Sequence, residues 1–353
     1  MNDLEKFISL LGQGQGLLLT SRYSRHYAAQ FDIAEGVAVV SAQGCRYFTD
    51  SRYIEAAQLG IRGFQVLEVN AQAPYEMRIN QAIADFGIQE LGYEEQYLSV
   101  AEFLEFQEKL QAKLTPMNRQ IHSFRQVKEA WELDRMRKAQ EITDQTFSQV
   151  LSRIREGMTE KQLQAELIYC LLKNGADGLA FDPIVVSGPN TSMPHGVAGE
   201  RKLQAGDFIT LDFGAKYQGY CADMTRTVAL GYATEEMEKV YQTVLAAQLA
   251  GIAKSRAGVY GWEVDEAARN VIREAGYGEY FGHGYGHCLG MEVHEDPRCS
   301  PKGDVPMVEN MVSSAEPGIY LPGKFGVRIE DVVVFQADGC ENITKSPKNL
   351  IIV

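Results

Sequence analysis

Four carboxylates stand inside, or directly beside, apolar runs that otherwise read as buried β-strands, and this pattern limits the fold more than any other. Asp212 ends Ile209-Thr210-Leu211, and Asp223 lies between Tyr220-Cys221 and Thr225-Arg226-Thr227-Val228. Glu316 follows Val312-Ser313-Ser314-Ala315, and Glu330 is flanked by Val327-Arg328-Ile329 and Val332-Val333-Val334. A carboxylate in such a place is costly to bury unless it is paired or metal-bound. One alone is ordinarily a salt bridge or a sheet-edge residue. Four of them, with a histidine beside a glycine at His287, ask for a common partner. Two divalent cations bring four positive charges, and one neutral imidazole completes an oxygen-rich pair of coordination shells. Cations about 3.5–4 Å apart can share a hydroxide at neutral pH and polarise a carbonyl. The pattern is that of a hydrolytic centre.

The frame around these residues repeats an order of elements. From residue 127, Leu133, Met136, Ala139, Ile142, Phe147, Val150, Leu151 and Ile154 recur at three- and four-residue steps, which predicts one long amphipathic helix ended by Gly157. Thr159 with Gln162 forms a capping-box pattern that opens a second helix through Leu172. Strands follow at 184–186, 208–212 and 221–230, then helices at 235–253 and 264–275, then strands at 311–315 and 327–335. Helix, helix, strands, twice over, suggests two similar halves folded over one sheet. The first third differs. Strands at 16–20, 37–40, 47–49, 64–69 and 88–91 alternate with helical stretches, one capped by Asp50 or Ser51 and one around 77–86, which implies an α/β layer. The boundary falls near 122–127, giving domains 1–123 and 124–353.

Of 353 residues, Lys and Arg number 34 against 47 Asp and Glu, a net charge of -13, so a nucleic-acid partner is not expected. No apolar run reaches the ~18 residues of a membrane-spanning helix, and Met1-Asn2-Asp3-Leu4-Glu5-Lys6 lacks the pattern of a secretory signal. The six cysteines are scattered without a CxxC pair, which suits reduced thiols. The expectation is a cytoplasmic protein with no membrane contact.

Leu211-Asp212-Phe213-Gly214, the Asp212 to Asp223 spacing, His283-Gly284-Tyr285-Gly286-His287, Val293-His294-Glu295, Glu316-Pro317-Gly318 and Arg328-Ile329-Glu330-Asp331 resemble the pita-bread metallopeptidases: aminopeptidase P, prolidase and methionine aminopeptidase. The likeness runs from about residue 127 to the end. The preceding segment resembles the amino-terminal domain of proline peptidases and creatinase, which short methionine aminopeptidases lack. Creatinase itself shares the fold but not this ligand set. The resemblance implies an α/β amino-terminal domain followed by an α+β pita-bread catalytic domain. It implies that Asp212 chelates one metal, His287 binds the other, and Asp223 and Glu330 bridge the two. Glu316 would bind a metal and shuttle the proton of the attacking water. His195, in Met193-Pro194-His195-Gly196, would hydrogen-bond the substrate or its tetrahedral intermediate, and His294 would stabilise the developing oxyanion. His283 and Arg328 match positions lining the substrate pocket, and Arg298 resembles an arginine of prolidases that binds a dipeptide carboxylate.

The activity implied is removal of an amino-terminal residue that precedes proline, by an aminopeptidase P or a prolidase. An Xaa-Pro bond is a tertiary amide without a hydrogen on nitrogen, so a peptidase that grips its substrate as a strand loses a donor there. A metal pair needs only the carbonyl and a water. The expected cofactor is two divalent metal ions, manganese foremost, with cobalt, zinc or iron also suited to the ligand mix. The expected partners are small peptides with proline second, and the relatives imply a homodimer. A non-catalytic pita-bread module that binds peptides is the alternative, although such proteins ordinarily lose ligands that are all present here. One departure is Cys288, where many members carry glycine after the ligand histidine; a thiol there is a small hydrophobe or a site of oxidation, and it puts the local pocket shape in question. The glycines at 284 and 286 argue against a zinc helix that would use His283 and His287.

Overall fold

The short apolar runs of the first third assemble into one mixed sheet in the computed structural model, which describes residues 3–353. Its strands are β1 (Gln15–Leu19), β2 (Val37–Ser41), β3 (Cys45–Thr49), β4 (Gln65–Glu68), β5 (Glu90–Tyr93) and β6 (Lys113–Pro116), in the order β4-β3-β2-β1-β5-β6. The β1–β2 and β2–β3 pairs are antiparallel; β3–β4, β1–β5 and β5–β6 are parallel. Parallel pairs need helical crossovers, and helices α1 (Asp3–Ser9), α2 (Arg22–Ala29), α3 (Ile54–Gly60), α4 (Tyr75–Phe86), α5 (Val100–Lys109) and α6 (Asn118–Gln126) alternate with the strands. Leu18, Val39, Phe48, Ile79 and Leu91 fill the layer between sheet and helices. The α/β expectation holds, with differences in detail. No side chain caps α3; Asp50 instead accepts from the backbone and guanidinium of Arg52. Helices α1, α2, α5 and α6 and strand β6 are additions to the elements read from sequence.

The chain divides into two compact units, Met1–Arg125 and Gln126–Val353. The second opens with α7 (Ala130–Leu151) and α8 (Glu160–Lys173), whose start carries the capping box expected of Thr159 and Gln162. Then come β7 (Gly178–Leu179), β8 (Ile184–Ser187), β9 (Phe208–Phe213), β10 (Ala215–Tyr217), β11 (Tyr220–Cys221) and β12 (Met224–Ala229). The second half repeats the order with α9 (Glu235–Lys254), α10 (Gly261–Glu274), β13 (Gly286–Cys288), β14 (Glu295–Cys299), β15 (Val312–Ala315), β16 (Gly318–Leu321), β17 (Phe325–Arg328), β18 (Asp331–Gln336) and β19 (Gly339–Asn342).

The halves do not share one continuous sheet. Strands β12-β9-β8 form one ladder, β14-β13-β15-β18-β19 another, and β16-β17 a hairpin. The ladders are joined where Glu330 N–H donates to Thr225 O (3.1 Å) and where the Thr227 hydroxyl donates to Arg328 O while accepting from its N–H. The run around Glu330 therefore breaks between β17 and β18, and this break turns the carboxylate out of a ladder. Each half keeps its own core. Ile209, Leu211 and Phe213 of β9 pack with Leu163, Leu167 and Leu171 of α8, and Val240 and Val244 of α9 pack with Val327 and Val333. Each such burial contributes about 1.5–3 kcal/mol. Among the described residues, no helix is long and apolar enough to cross a membrane.

Candidate metal centre and its cavity

Strand β9 positions the first carboxylate by simple alternation. Its odd-numbered side chains, Ile209, Leu211 and Phe213, enter the core, so Thr210 and Asp212 face the other way. Register pairs Asp212 with Thr225 of β12. Asp223 sits in the two-residue step between β11 and β12. His287 is the middle residue of β13, which packs so closely on β15 that a Cβ at Gly286 would lie 2.1 Å from Ser314 O. Glycine is required there by that approach, and the His283–His287 spacing lies on a loop and strand, not a helix. Glu316 follows β15, its N–H donating to Tyr285 O at 2.8 Å.

These residues converge. One donor atom each of Asp223, His287 and Glu330 lies within 4.8 Å of the others. His287 Nε2 is 3.2 Å from Glu316 Oε1 and 3.6 Å from Asp223 Oδ2. Its Nδ1 is 3.1 Å from Cys288 O, so Nδ1–H donates there and Nε2 is left facing the carboxylates. Asp212 Oδ2 accepts from Arg328 Nη2 at 2.5 Å, while Asp212 Oδ1 is buried without a hydrogen-bond partner. An orphaned buried carboxylate oxygen beside three more carboxylates and an imidazole nitrogen is the donor set a divalent cation takes, so these residues fit metal.

The electrostatics agree. Burial, and next the charge of Asp212, hold Asp223 well above the usual carboxylate range; burial and then Asp223 do the same to Glu330. Burial raises Asp212 too, against the pull of Arg328. Burial works against ionised Glu316, yet its bond to His287 and the charge of that ring outweigh it and bring the carboxyl to about 2. His287 rises for the reciprocal reason: burial disfavours its charge, but the bond to Glu316 and the charges of Glu316 and Asp223 prevail.

All ten residues singled out from sequence line one cavity of about 530 Å³. His294 packs edge-on against His287, ring centroids 4.4 Å apart, and burial followed by the charge of His287 lowers it to about 4. His195 is exposed at the wall. Burial lowers His283, which is held by Gly284 O (2.8 Å from Nδ1) and the Tyr320 hydroxyl (2.9 Å from Nε2). Arg328 is spoken for on every side: Asp212, Thr225 Oγ1 at 2.9 Å, Tyr320 Oη at 2.9 Å and Pro194 O at 3.3 Å. Arg298 is different, 55% exposed, with Asp296 3.9 Å away. Phe181, Pro183, Ile184, Pro194, Val197 and Val293 give the cavity an apolar side. Cys288 is not in its wall; the thiol is fully buried in the core, where burial pushes its pKa up.

Three residues that shape the site had no place in the sequence reading. The Thr225 hydroxyl donates to Glu330 Oε2 (2.7 Å) while accepting from Arg328 Nε. The Ser314 hydroxyl donates to Glu316 Oε1 (3.0 Å) while accepting from His287 N–H (3.0 Å). Tyr320 joins Arg328 to His283. For Thr225 and Ser314 the available signal was a hydroxyl two positions from a ligand-capable carboxylate within a buried strand; Tyr320 offered none.

Comparison with known proteins agrees with this geometry. Residues 134–337 match metallopeptidase family M24, and residues 12–127 match the creatinase/prolidase N-terminal domain. The uncharacterized peptidase YqhT of Bacillus subtilis is 39% identical over 99% of both chains. The structure of an Xaa-Pro dipeptidase from Bacillus anthracis superposes with a TM-score of 0.95 at 38% identity, covering 99% of each chain. That of an X-Pro aminopeptidase from Thermotoga maritima superposes at 0.94 with 37% identity, covering 100% of each. The chain, with its α/β creatinase-type amino-terminal domain and α+β pita-bread domain, therefore belongs to metallopeptidase family M24.

Proposed function

We propose that the protein is an Xaa-Pro peptidase that releases the amino-terminal residue preceding proline, using two divalent metal ions, manganese foremost. The observation that carries this is the meeting of Asp212, Asp223, His287, Glu316 and Glu330 in one cavity, with the Asp212 Oδ1 lone pairs unclaimed. In this reading those five residues would hold the metals, with Asp223, His287 and Glu330 gathered at their centre. Divalent cations bound there supply Lewis acidity and make water acidic enough to lose a proton near neutral pH. The catalytic domain is 124–353, and the 1–123 domain supplies no ligand.

The remaining steps belong to side chains. Glu316 accepts the proton of the attacking water and later delivers it to the departing proline nitrogen, with Ser314 and His287 fixing its carboxyl. His294, held neutral at physiological pH, offers a ring N–H to the substrate oxygen as charge develops without bringing a cation of its own. His195 hydrogen-bonds the substrate from the opposite wall. Arg328 and His283, already tied to Tyr320, form a rigid wall rather than a mobile clamp. The apolar side receives the proline ring. Exposed Arg298 is placed to meet the carboxylate of a dipeptide, which favours prolidase-type action within the Xaa-Pro reading. Relatives named Xaa-Pro dipeptidase and X-Pro aminopeptidase support both variants. A homodimer of cytoplasmic residence belongs to the same proposal.

A module that only binds peptides would keep four crowded carboxylates without compensation. The deciding experiment is turnover by pure protein reconstituted with manganese, given Ala-Pro and Ala-Pro-Ala separately. Hydrolysis of either after the first residue supports the assignment, their ratio reports the role of Arg298, and turnover of neither refutes it.

A further inference from the structure

One of the buried ion pairs outside the cavity lies beside the turn that carries His294. Lys128, just ahead of α7, places Nζ 2.9 Å from Glu295 Oε2, with side chains 1% and 7% exposed. Its backbone N–H is tied to Asn310 O at 3.0 Å, so the lysine is anchored at its root. Glu295 opens β14 directly after His294, which ends the turn that leads into the strand. His294 faces the cavity; Glu295 faces Lys128 and the buried Cys288, its register partner on β13.

The connection between β13 and β14, residues 289–294, folds over this pair. The other carboxylate oxygen, Glu295 Oε1, accepts the Glu292 N–H at 3.3 Å. Gly290 lies against the pair so closely that a Cβ there would be 2.9 Å from Lys128 Cε and 3.0 Å from Glu295 Oε2. Gly290 O in turn accepts the Cys221 N–H at 2.7 Å, two residues before Asp223. A buried ion pair brings little net stability, because desolvation offsets attraction. What this one brings is position: a carboxylate held at both oxygens fixes the backbone that aims His294.

We propose that Lys128 is a positioning residue for hydrolysis, acting through Glu295 and the 289–294 turn to hold the His294 ring over the reacting carbonyl. The inference rests on the reading of His294 as a substrate-contacting group.

The test is a double-mutant cycle in the full-length, manganese-reconstituted protein with Ala-Pro as substrate. Lys128→Met lowers kcat by about 10–100-fold, the loss expected of a group displaced by about an ångström, with KM and metal content unchanged and with Lys128→Arg restoring most of the rate. In the His294→Ala background, Lys128→Met costs less than about twofold more, because the group it positions is gone. An activity-independent readout is the spectrum of 15N-histidine-labelled protein. Of six histidines, the one whose ring signals vanish in His294→Ala is the one displaced by Lys128→Met. Multiplying losses in the cycle, or an unmoved His294 signal, overturns the inference while leaving the peptidase assignment intact. A His294→Ala variant of undiminished kcat removes its premise instead. Should Lys128→Met not fold, Glu295→Gln, which keeps one acceptor oxygen but removes the charge, is read by the same criteria.

Discussion

Chelation leaves the fold holding carboxylates that repel each other, and the geometry says how the metal-free protein must respond to pH. Donor atoms of Asp223 and Glu330 lie within 4.8 Å, and two full charges at that distance repel by about 3.5 kcal/mol at an effective dielectric of about 20. The pair avoids this by keeping protons, which is why both carboxyls stand well above their ordinary range once burial and mutual charge act. The sign follows from linkage. As pH rises past the ordinary carboxylate pKa, the unfolded chain releases these protons while the fold retains them, so stability falls until the raised folded pKa is passed. His287 adds in the same direction: its pKa is raised in the fold, so its contribution is complete below the unfolded value and is lost as pH climbs through the folded one. Glu316, brought to about 2, is ionised throughout and contributes no slope. Scanning calorimetry between about pH 5.5 and about pH 8 should therefore show the melting temperature of chelated protein falling with pH. Manganese at about one hundred times its Kd adds about 2.7 kcal/mol per site. That is about 5–11 °C for a domain of this size, and the gain grows with pH as protons cease to compete. Asp223→Asn combined with Glu330→Gln should remove most of the slope in chelated protein. A metal-free melting temperature that is flat or rises with pH would refute the reasoning.

Other consequences are separable. Thr225→Val removes the hydroxyl that orients Glu330 and Arg328, and should weaken metal affinity by about 10–100-fold in a calorimetric titration; unchanged affinity would show that Glu330 is held by its backbone alone. Arg298→Ala should raise KM for Ala-Pro by about tenfold, the worth of one charge-assisted hydrogen bond, while changing KM for Ala-Pro-Ala much less; equal effects would remove the arginine from carboxylate binding. Cys288→Ala should cost about 1 kcal/mol of stability and leave kcat unchanged, and iodoacetamide should not modify Cys288 in the folded protein, since its thiol is buried in the core. Inactivation traced to alkylated Cys288 would place the thiol within reach of the cavity after all.

What could be read from sequence depended on whether local pattern and tertiary role coincide. Helix α8 announced itself through Thr159 and Gln162 because a capping box is written in neighbouring residues. Helix α5 carries the same device, Ser99 with Glu102, and Val100, Phe103 and Leu104 lie at helical spacing, yet it went unread; none of its residues is buried, and Val100 and Leu104 face solvent, so its local pattern has little tertiary role behind it. Strand β6 ends in Pro116, which reads as a breaker yet is tolerated on a strand at the sheet edge. Within the site, carboxylates in apolar runs were conspicuous because their burial is anomalous. Thr225, Ser314 and Lys128 were not, since a hydroxyl in a strand or a lysine before a helix is ordinary by itself. Their roles follow from pairings across long intervals, Thr225 with Asp212 in register, Ser314 with His287, and Lys128 with Glu295. The family resemblance gave roles to residues within its motifs and none to the groups that hold them in place.

The same alternation accounts for stability and chemistry together. Leu211 and Phe213 lie in the core, and Asp212 between them meets Arg328 on the opposite side. A one-residue slip of β9 against β12 would carry the carboxylate into the core and the leucine into the cavity, so the register that excludes water from one face also aims the ligand on the other. At β13 the device differs: Gly286 lets the strand approach Ser314, whose hydroxyl then reaches both His287 and Glu316. A larger residue at 286 would push β13 from β15 and break both bonds at once. Gly286→Ala should therefore cost metal affinity as well as stability, because Tyr285, Cys288 and Ala315 beside the contact belong to the core of the second half, while the contact it widens is shared by two of the five ligands. Thermal melting of the chelated protein and a manganese titration of the same sample separate the two effects, and a loss of stability with unaltered affinity would show that the close approach serves packing alone.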